Sequence, residues 1–514
     1  MSSTGSTSAT STLAHSLLAG TGIPHRCHNP RLVETHISWL VMVGEFVYKL
    51  KKPVNLGFLD FTTLAQRQFY CNEELRLNRR TAPKQYLEVL PISGTPQAPR
   101  PFDNSGPFDY AVRMRRFDDT QLLSRLVPEG GLSAAMVEEL AHALARFHQS
   151  IAGAAAPAGA GSPASVLEPI QANFTTLREL DHHADDQTLL QTISAWCQSE
   201  FKRIAPVISA RRDAGFVREC HGDLHLANIY WEQGPVLFDA IEFSESLRWI
   251  DVASDTAFLL MDLASFGHPA LANRLLNDYL ADTGDFGSLD VMRYYLVYRA
   301  MVRAKIAAIR ADQDTSEAGN LSRDLRHYLA LAAASCEQPQ AQLVMMCGLS
   351  GTGKTTVARQ LAADLGAIHL RSDVERKRLF GLTPGESSRS KGLDIYTAAA
   401  SARTFERLEH LCRQCLGLGY SVVVDATFIQ ARHRGQFADL ADQLGVGWRI
   451  VQTTAPEDIV RARLNGRRND ASEAGFAQYL SQRERVDAFS AAEQMRLQVI
   501  DTSGPVTPDL FLPA

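Results

Sequence analysis

Eight consecutive residues, Gly348-Leu349-Ser350-Gly351-Thr352-Gly353-Lys354-Thr355, restrict what this chain can fold into more than any other stretch. They match G-x-x-x-x-G-K-[ST] in full. An apolar run, Leu343–Cys347, leads in, and a helical pattern, Thr356–Leu365, leads out to a stop at Gly366. A strand that turns through small residues into a helix leaves backbone N–H groups free to wrap phosphates. The helix N-terminus adds its positive dipole end. Gly348, Ser350, Gly351, Thr352, Gly353 and Thr356 belong to that cradle. Lys354 neutralises the β- and γ-phosphates, and Thr355 offers a hydroxyl to Mg²⁺. The expected ligands are ATP and Mg²⁺.

Around this motif the chain alternates strand and helix. Apolar strands are expected near 342–347, 368–371, 421–425, 448–453 and 498–502, with helices between them. Such alternation predicts a parallel sheet flanked by helices. In a sheet of that kind the ligand crevice lies beyond the strand C-termini. The second strand ends in Arg371-Ser372-Asp373, so Asp373 can accept a proton from a substrate hydroxyl, or simply cap the helix that follows. The third strand ends in Asp425, at a Walker-B-like position for Mg²⁺ or substrate. Arg461, Arg463, Arg467 and Arg468 cluster at a helix end and are read as a lid over phosphates, against the alternative of a solvated face. Together these residues resemble the small P-loop kinases, a group that includes gluconate kinase, chloramphenicol phosphotransferase, the zeta toxins and the kinase half of polynucleotide kinase. The likeness covers residues 341–514 and leaves the substrate unnamed.

A second constellation lies upstream. His221-Gly222-Asp223-Leu224-His225-Leu226-Ala227-Asn228 is followed, after a hairpin turning at Gln233-Gly234-Pro235, by Leu237-Phe238-Asp239. Kinase-like folds use an Asp, an Asn five residues on and a second Asp beyond a hairpin. The alternation of His221, Asp223 and His225 also admits a metal cluster, which lacks a fourth ligand. Before this motif, Phe46–Lys51 reads as a strand with Val47, Lys49 and Lys51 on one face. Lys49 is the candidate for the phosphates, with Glu74 preferred to Glu73 as its ion-pair partner; a solvated basic edge strand is the alternative. The constellation resembles the aminoglycoside phosphotransferase (APH-like) family, which has a protein-kinase-like fold, over about residues 30–335. The resemblance implies that Asp223 is the catalytic base, that Asn228 and Asp239 hold Mg²⁺, and that an Asp within Asp251–Asp255 braces the catalytic loop. Glu242 assists or caps a turn.

The sequence also departs from the wider protein-kinase pattern. Gly222 stands where protein kinases carry Arg, so phosphorylation-gated activation is not expected. Asp239-Ala240-Ile241 lacks the Phe of D-F-G. A glycine-rich loop is missing, and the turn at Val43-Gly44-Glu45 is expected to cover the phosphates. Arg299 and Arg303, one helical turn apart, are read either as anion-binding or as ion-paired.

At 514 residues the chain is too long for one hydrophobic core, and 45% hydrophobic with 21% charged residues is ordinary for a soluble protein. The expected fold is multidomain, α+β followed by α/β. A disordered tail (1–24) precedes an APH-like kinase domain (25–336, small lobe 25–118, helical lobe 119–336), and a P-loop kinase domain follows (341–514). The low-complexity stretch 152–166 is expected to be a loop. From residue 341 onward there are 21 Lys/Arg against 19 Asp/Glu, which disfavours a polynucleotide substrate. No apolar run reaches the ~20 residues of a membrane span. Eight scattered cysteines suit a reducing cytoplasm. Cys412 and Cys415 are expected to be helix-core residues. The function expected is transfer of a γ-phosphoryl group from ATP to a hydroxyl of a small molecule at two sites. The alternative keeps only the P-loop domain catalytic, acting on a small molecule or a polynucleotide 5′-hydroxyl, with the upstream domain as a binding or regulatory module.

Overall fold

The computed structural model describes residues 3–57, 59–180, 184–313, 318–466 and 470–505. The chain divides into two compact units. One comprises Met1–Glu139, Arg146–Gln171 and Ala205–Asp262, the other Leu140–Ala145, Ala172–Ile204 and Leu263–Ala514. The second unit thus takes in residues 263–336, which sequence patterning groups with the helical lobe.

In chain order the first elements are α1 (Ser3–Leu18), β1 (Arg31–Glu34), β2 (Ser38–Val43), β3 (Phe46–Lys51), α2 (Leu64–Asn78), β4 (Tyr86–Gly94), β5 (Pro99–Pro101) and β6 (Asp109–Arg115). The six strands form one antiparallel sheet in the order β1-β2-β3-β6-β4-β5. Helix α2 starts on a capping box in which Thr63 and Gln66 satisfy each other's backbone N–H groups.

Helix α1 corrects the expected disordered tail. Its Ser, Thr and Gly content gives poor intrinsic helix propensity. However, Leu13, Ala14 and Leu17 fall on one side and are fully buried with Trp39, Val41, Tyr48 and Leu50 of the sheet. Burying a leucine side chain stabilises by about 1.5–3 kcal/mol, so packing overrides propensity.

The chain continues through α3 (Leu123–Leu126), α4 (Ala134–Ser150), α5 (Pro163–Glu179), α6 (Ala184–Asp213), β7 (Val217–Glu219), β8 (Ile229–Trp231), β9 (Pro235–Leu237), α7 (Glu245–Arg248), β10 (Trp249–Asp251) and α8 (Val252–Ser265). Helix α5 shortens the expected loop at 152–166, because Pro163 suits a first helical turn. Next come α9 (Pro269–Thr283), α10 (Leu289–Gln313) and α11 (Ala318–Cys336).

The remaining elements are β11 (Gln342–Cys347), α12 (Lys354–Leu365), β12 (Ile368–Arg371), α13 (Ser372–Leu379), α14 (Ala398–Gly417), β13 (Val422–Asp425), α15 (Ala431–Gln443), β14 (Gly447–Thr454), α16 (Glu457–Gly466), α17 (Phe476–Arg483), α18 (Ala491–Gln494) and β15 (Leu497–Asp501). The five strands are parallel, in the order β12-β13-β11-β14-β15. Val344 and Met346 pack with Val357, Ala358 and Leu361 of α12 to form the core beneath the P-loop. Edge strand β12 is closed by the Asn277 side chain of α9. Asn277 Nδ2 donates to Ala367 O (2.9 Å), and the His369 N–H donates to Asn277 Oδ1 (2.8 Å).

No helix among the described residues is long and apolar enough to cross a membrane. All eight cysteines are free thiols, and Cys412 and Cys415 are buried in α14.

Candidate active sites

In the first unit, β3 and α2 bring Lys49 to Glu74. Lys49 Nζ lies 2.7 Å from Glu74 Oε1 and 2.6 Å from Asp239 Oδ1. Lys51 reaches the other Glu74 oxygen at 2.8 Å and also pairs with Glu242. Lys51 and Glu74 are fully buried. Burial disfavours each charge, but the neighbours decide the outcome. Asp239, Glu74 and Glu242 hold the Lys49 ammonium well above its usual range. Lys49 and Lys51 hold Glu74 down to about 2. For Glu242 burial wins over Lys51, and its carboxyl is raised. Through Lys51, Glu242 fixes the segment after Asp239 to β3. Glu73, the alternative partner, pairs with Arg76 instead.

The loop bearing Asp223 hangs on carboxylates from α8. Asp255 accepts the backbone N–H of His221 (3.1 Å) and of Gly222 (3.0 Å), and Asp262 accepts that of Leu226 (2.8 Å). Gly222 explains its own identity. It has φ +84°, and a Cβ there would lie 2.7 Å from Leu247 O, so an Arg is sterically refused. Asn228 Nδ2 donates to the Asp223 backbone O (2.9 Å) and to Asp223 Oδ2 (3.1 Å). The β8–β9 hairpin returns the chain beside Asn228, whose carbonyl accepts the Phe238 N–H (3.0 Å), so Asp239 follows immediately. Asp239 itself adopts φ +62°, a strained conformation outside glycine.

The metal cluster that His221, Asp223 and His225 admit as an alternative is not among the ligand groupings of the described residues. His221 Nε2 hydrogen-bonds Phe238 O (2.8 Å), while His225 Nε2 lies 3.3 Å from Asp223 Oδ2. A different trio, His148, Cys220 and Asp255, lies within ligand distance. There Asp255 already serves the loop backbone, and the Cys220 thiol donates to Ile250 O. The expected phosphate-covering turn is also corrected. Gly44 N–H donates to His28 O, and a Cβ on Gly44 would lie 2.7 Å from Arg26 O, so that turn is packed under residues 25–28. Strand register instead sets the β1–β2 turn next to Lys51, which pairs with Ser38.

In the second unit, Ser350, Gly351, Gly353, Lys354, Thr355 and Thr356 line a cleft of about 1070 Å³ at the mouth of α12. Gly353 (φ +84°) is the N-cap, and a Cβ on Gly351 (φ +85°) would strike Leu464 at 2.9 Å. Lys354 Nζ donates to Leu349 O (2.8 Å), as does Thr352 Oγ1 (2.8 Å). Thr355 Oγ1 donates to Asp425 Oδ2 (2.7 Å), and His369 Nε2 lies 3.4 Å from the same oxygen. Burial pushes Asp425 up, but His369, Arg371 and Lys354 together outweigh it, and the carboxyl sits at about 2.

Asp373 lines this cleft from the first turn of α13. The N-cap there is Arg371, without a side-chain cap bond, so Asp373 does not serve as the cap. Arg463 lines the cleft and donates to Thr502 Oγ1 (3.0 Å) and Thr502 O (2.5 Å). Arg461 pairs with Glu457 on the surface; Arg467 and Arg468 lie outside the described residues. Arg299 and Arg303 do not line the cleft. Arg303 donates to the Tyr328 hydroxyl.

Sequence reasoning missed Gln482 on α17, whose Oε1 accepts the Ser350 N–H of the P-loop (2.8 Å). It also missed His369. Neither belongs to a motif, and only the fold brings them to the P-loop and to Asp425.

Comparison with known proteins finds a family match in each half of the chain. Residues 73–294 match the model of the phosphotransferase enzyme family, and residues 343–489 match that of the AAA domain. The uncharacterized protein Rv2004c of Mycobacterium tuberculosis is 30% identical over 483 residues, 92% of each chain. The same figures hold for the uncharacterized protein Mb2027c of Mycobacterium bovis. This chain belongs to their family. It joins a phosphotransferase-family domain to a P-loop domain in one polypeptide, as the extent of the match requires. Among solved structures, a choline/ethanolamine kinase family protein from Mesorhizobium loti is similar at TM-score 0.37 and 11% identity, covering 63% of this chain and 99% of that one. A gluconokinase from Sinorhizobium meliloti 1021 is similar at TM-score 0.25 and 16% identity, covering 33% and 86%.

Proposed function

We propose that this chain is an ATP-dependent phosphotransferase that moves a γ-phosphoryl group to a hydroxyl of a small molecule, with one ATP site in each unit. The observation that carries the reading is the Thr355–Asp425 hydrogen bond beside Lys354, in the same cleft as a second carboxylate, Asp373. A hydroxyl and an ionised carboxylate are the hard oxygen donors that Mg²⁺ takes. Thr355 and Asp425 would hold the ion, which when bound spreads the charge of the phosphate oxygens. Lys354 and the backbone N–H groups of the loop bind the phosphates. Arg463 closes on them, and Asp373 takes the proton of the acceptor hydroxyl.

In the other unit Asp223 takes the corresponding proton, and Lys49, steered by Glu74, binds phosphate. Asn228 and Asp239 also suit Mg²⁺: Asn228 commits its amide N–H to Asp223, which leaves its carbonyl oxygen for an ion. A second reading makes only the P-loop unit catalytic, with the other a binding or regulatory module. It is favoured by the direct Lys49–Asp239 pair, in which the two groups satisfy one another. A reducing cytoplasm suits the eight free thiols.

The test is γ-labelled ATP with a fractionated metabolite extract and the full chain, alone and as Asp223→Ala or Lys354→Ala. Each substitution is expected to abolish a different labelled product. If Asp223→Ala leaves every product in place, the two-site reading is wrong and the single-site one stands. Label on a 5′-hydroxyl oligonucleotide would instead assign the P-loop unit to polynucleotides.

A further inference from the structure

Resting on the reading of Asp373 as the base of the P-loop site, we propose that the acceptor there is a small hydroxylated anion, whose carboxylate or phosphate group is bound by Arg376 against a wall made by Phe405 and His433. Asp373 and Arg376 are three residues apart on α13 and so share one face, and both line the cleft. Arg376 is only 8% exposed. One end of its guanidinium is fixed: NH1 donates to Ile395 O (3.1 Å) and Ser401 Oγ (3.3 Å), and the group lies 5.2 Å from the Tyr396 ring centroid. Its Nε is buried without a hydrogen-bond partner, and no carboxylate of the described residues lies within ion-pair distance.

Three other arginines of this unit do have such partners, whereas the half-buried Arg449, like Arg376, has none among the described residues. Arg434 pairs with Glu493, Arg378 with Glu375 and Arg371 with Asp470. Withdrawing a cation from water without a counter-ion is costly, and a ligand oxyanion in the cleft would relieve that cost. Another part of the lining is aromatic. Phe405 and His433 stack at 3.7 Å with 7° between their planes, and His433 Nδ1 is buried without a partner. His433 itself lines the cleft. Arg432 beside it also lines the cleft and adds positive charge. An uncharged sugar would leave Arg376 unanswered, and a polynucleotide would supply many anions where the site offers one buried cation.

The experiment compares matched acceptors with the full chain and Mg·ATP: gluconate against glucose, and glycerate and glycerol phosphate against glycerol. A 5′-hydroxyl oligonucleotide is run alongside. Phosphorylation of anionic members at least tenfold faster than their neutral partners supports the proposal, and the carboxylate and phosphate arms tell the two sources of charge apart. Equal or preferred use of neutral acceptors, or of the oligonucleotide, overturns it.

Sulfate binding at saturating non-hydrolysable ATP analogue provides a readout that needs no turnover. Wild-type chain is expected to bind sulfate, and Arg376→Gln to weaken it about 10- to 100-fold, the range of a charge-assisted contact. Arg376→Lys, which keeps the charge, is expected to fall between. Sulfate binding that is absent, or unchanged in Arg376→Gln, refutes the assignment. Nucleotide affinity that ignores Lys354→Ala would instead sink the underlying kinase reading, so the two failures are distinguishable.

Discussion

Gln482 and Gly222 show how single side chains set the terms of each site. The Ser350 N–H that a phosphate oxygen would use is already taken by Gln482 Oε1 at 2.8 Å. Nucleotide must compete with that contact, whose net worth is about 0.5–1.5 kcal/mol. Gln482→Ala is therefore expected to tighten nucleotide binding two- to tenfold, read by titration calorimetry. No pattern in the sequence marks Gln482, because a lone amide on an amphipathic helix looks like any surface residue. Gly222 is the reverse case. Its place in H-G-D was legible, but its reason was not until the backbone was seen at φ +84° with Leu247 O in the way. Gly222→Ala should cost about 1–3 kcal/mol, visible as a lowered urea midpoint, and should displace Asp223.

At the scale of elements, β3 and α2 act as one device. The period-2 face of Phe46–Lys51 made Lys49 legible, and the preference for Glu74 over Glu73 as its partner was legible too. The role of Lys51 was not, since sequence does not reveal that one carboxylate can bridge two lysines while Glu242 closes the group. The Glu74 carboxyl, at about 2, lies below its ordinary value near 4.3. A depressed carboxyl stabilises fully above the ordinary value, and the contribution drains away as pH falls towards the folded one. Glu74→Gln is thus expected to cost about 3 kcal/mol near neutrality and to flatten the loss of stability between about pH 4.5 and 2, measured by urea melts across that range. The turn expected to cover phosphates failed for a related reason. Gly44 reads as a free glycine in sequence, whereas residues 25–28 lie over it. Helix α1 was hidden likewise, because a Ser/Thr/Gly-rich segment gains its order from the sheet it covers and not from itself.

Over the whole molecule, the strand–helix alternation after residue 341 was legible nearly to the residue, because fully buried parallel strands are continuous apolar runs bounded by glycine. What that patterning does not carry is which other segments belong to the same unit. Helices α9 and α10 precede the P-loop strand in sequence and yet are tied to its sheet. Arg378 donates to the carbonyls of Leu280 and Ala281 at the end of α9, and Arg293 of α10 donates to Gly419 O. Asn277→Leu in the full chain should lower the melting temperature by several degrees, since it strands the Ala367 and His369 backbone groups.

Asn277 bears on how such a gene could have been assembled or could be taken apart. One amide side chain occupies the donor and acceptor positions that a sixth strand would otherwise fill beside β12. A recombination or cloning boundary drawn at the P-loop motif would uncover that edge and invite pairing between copies. A fragment beginning at residue 341 should accordingly self-associate, with light scattering that rises with concentration. The compact unit that holds the P-loop thus starts upstream of its own signature.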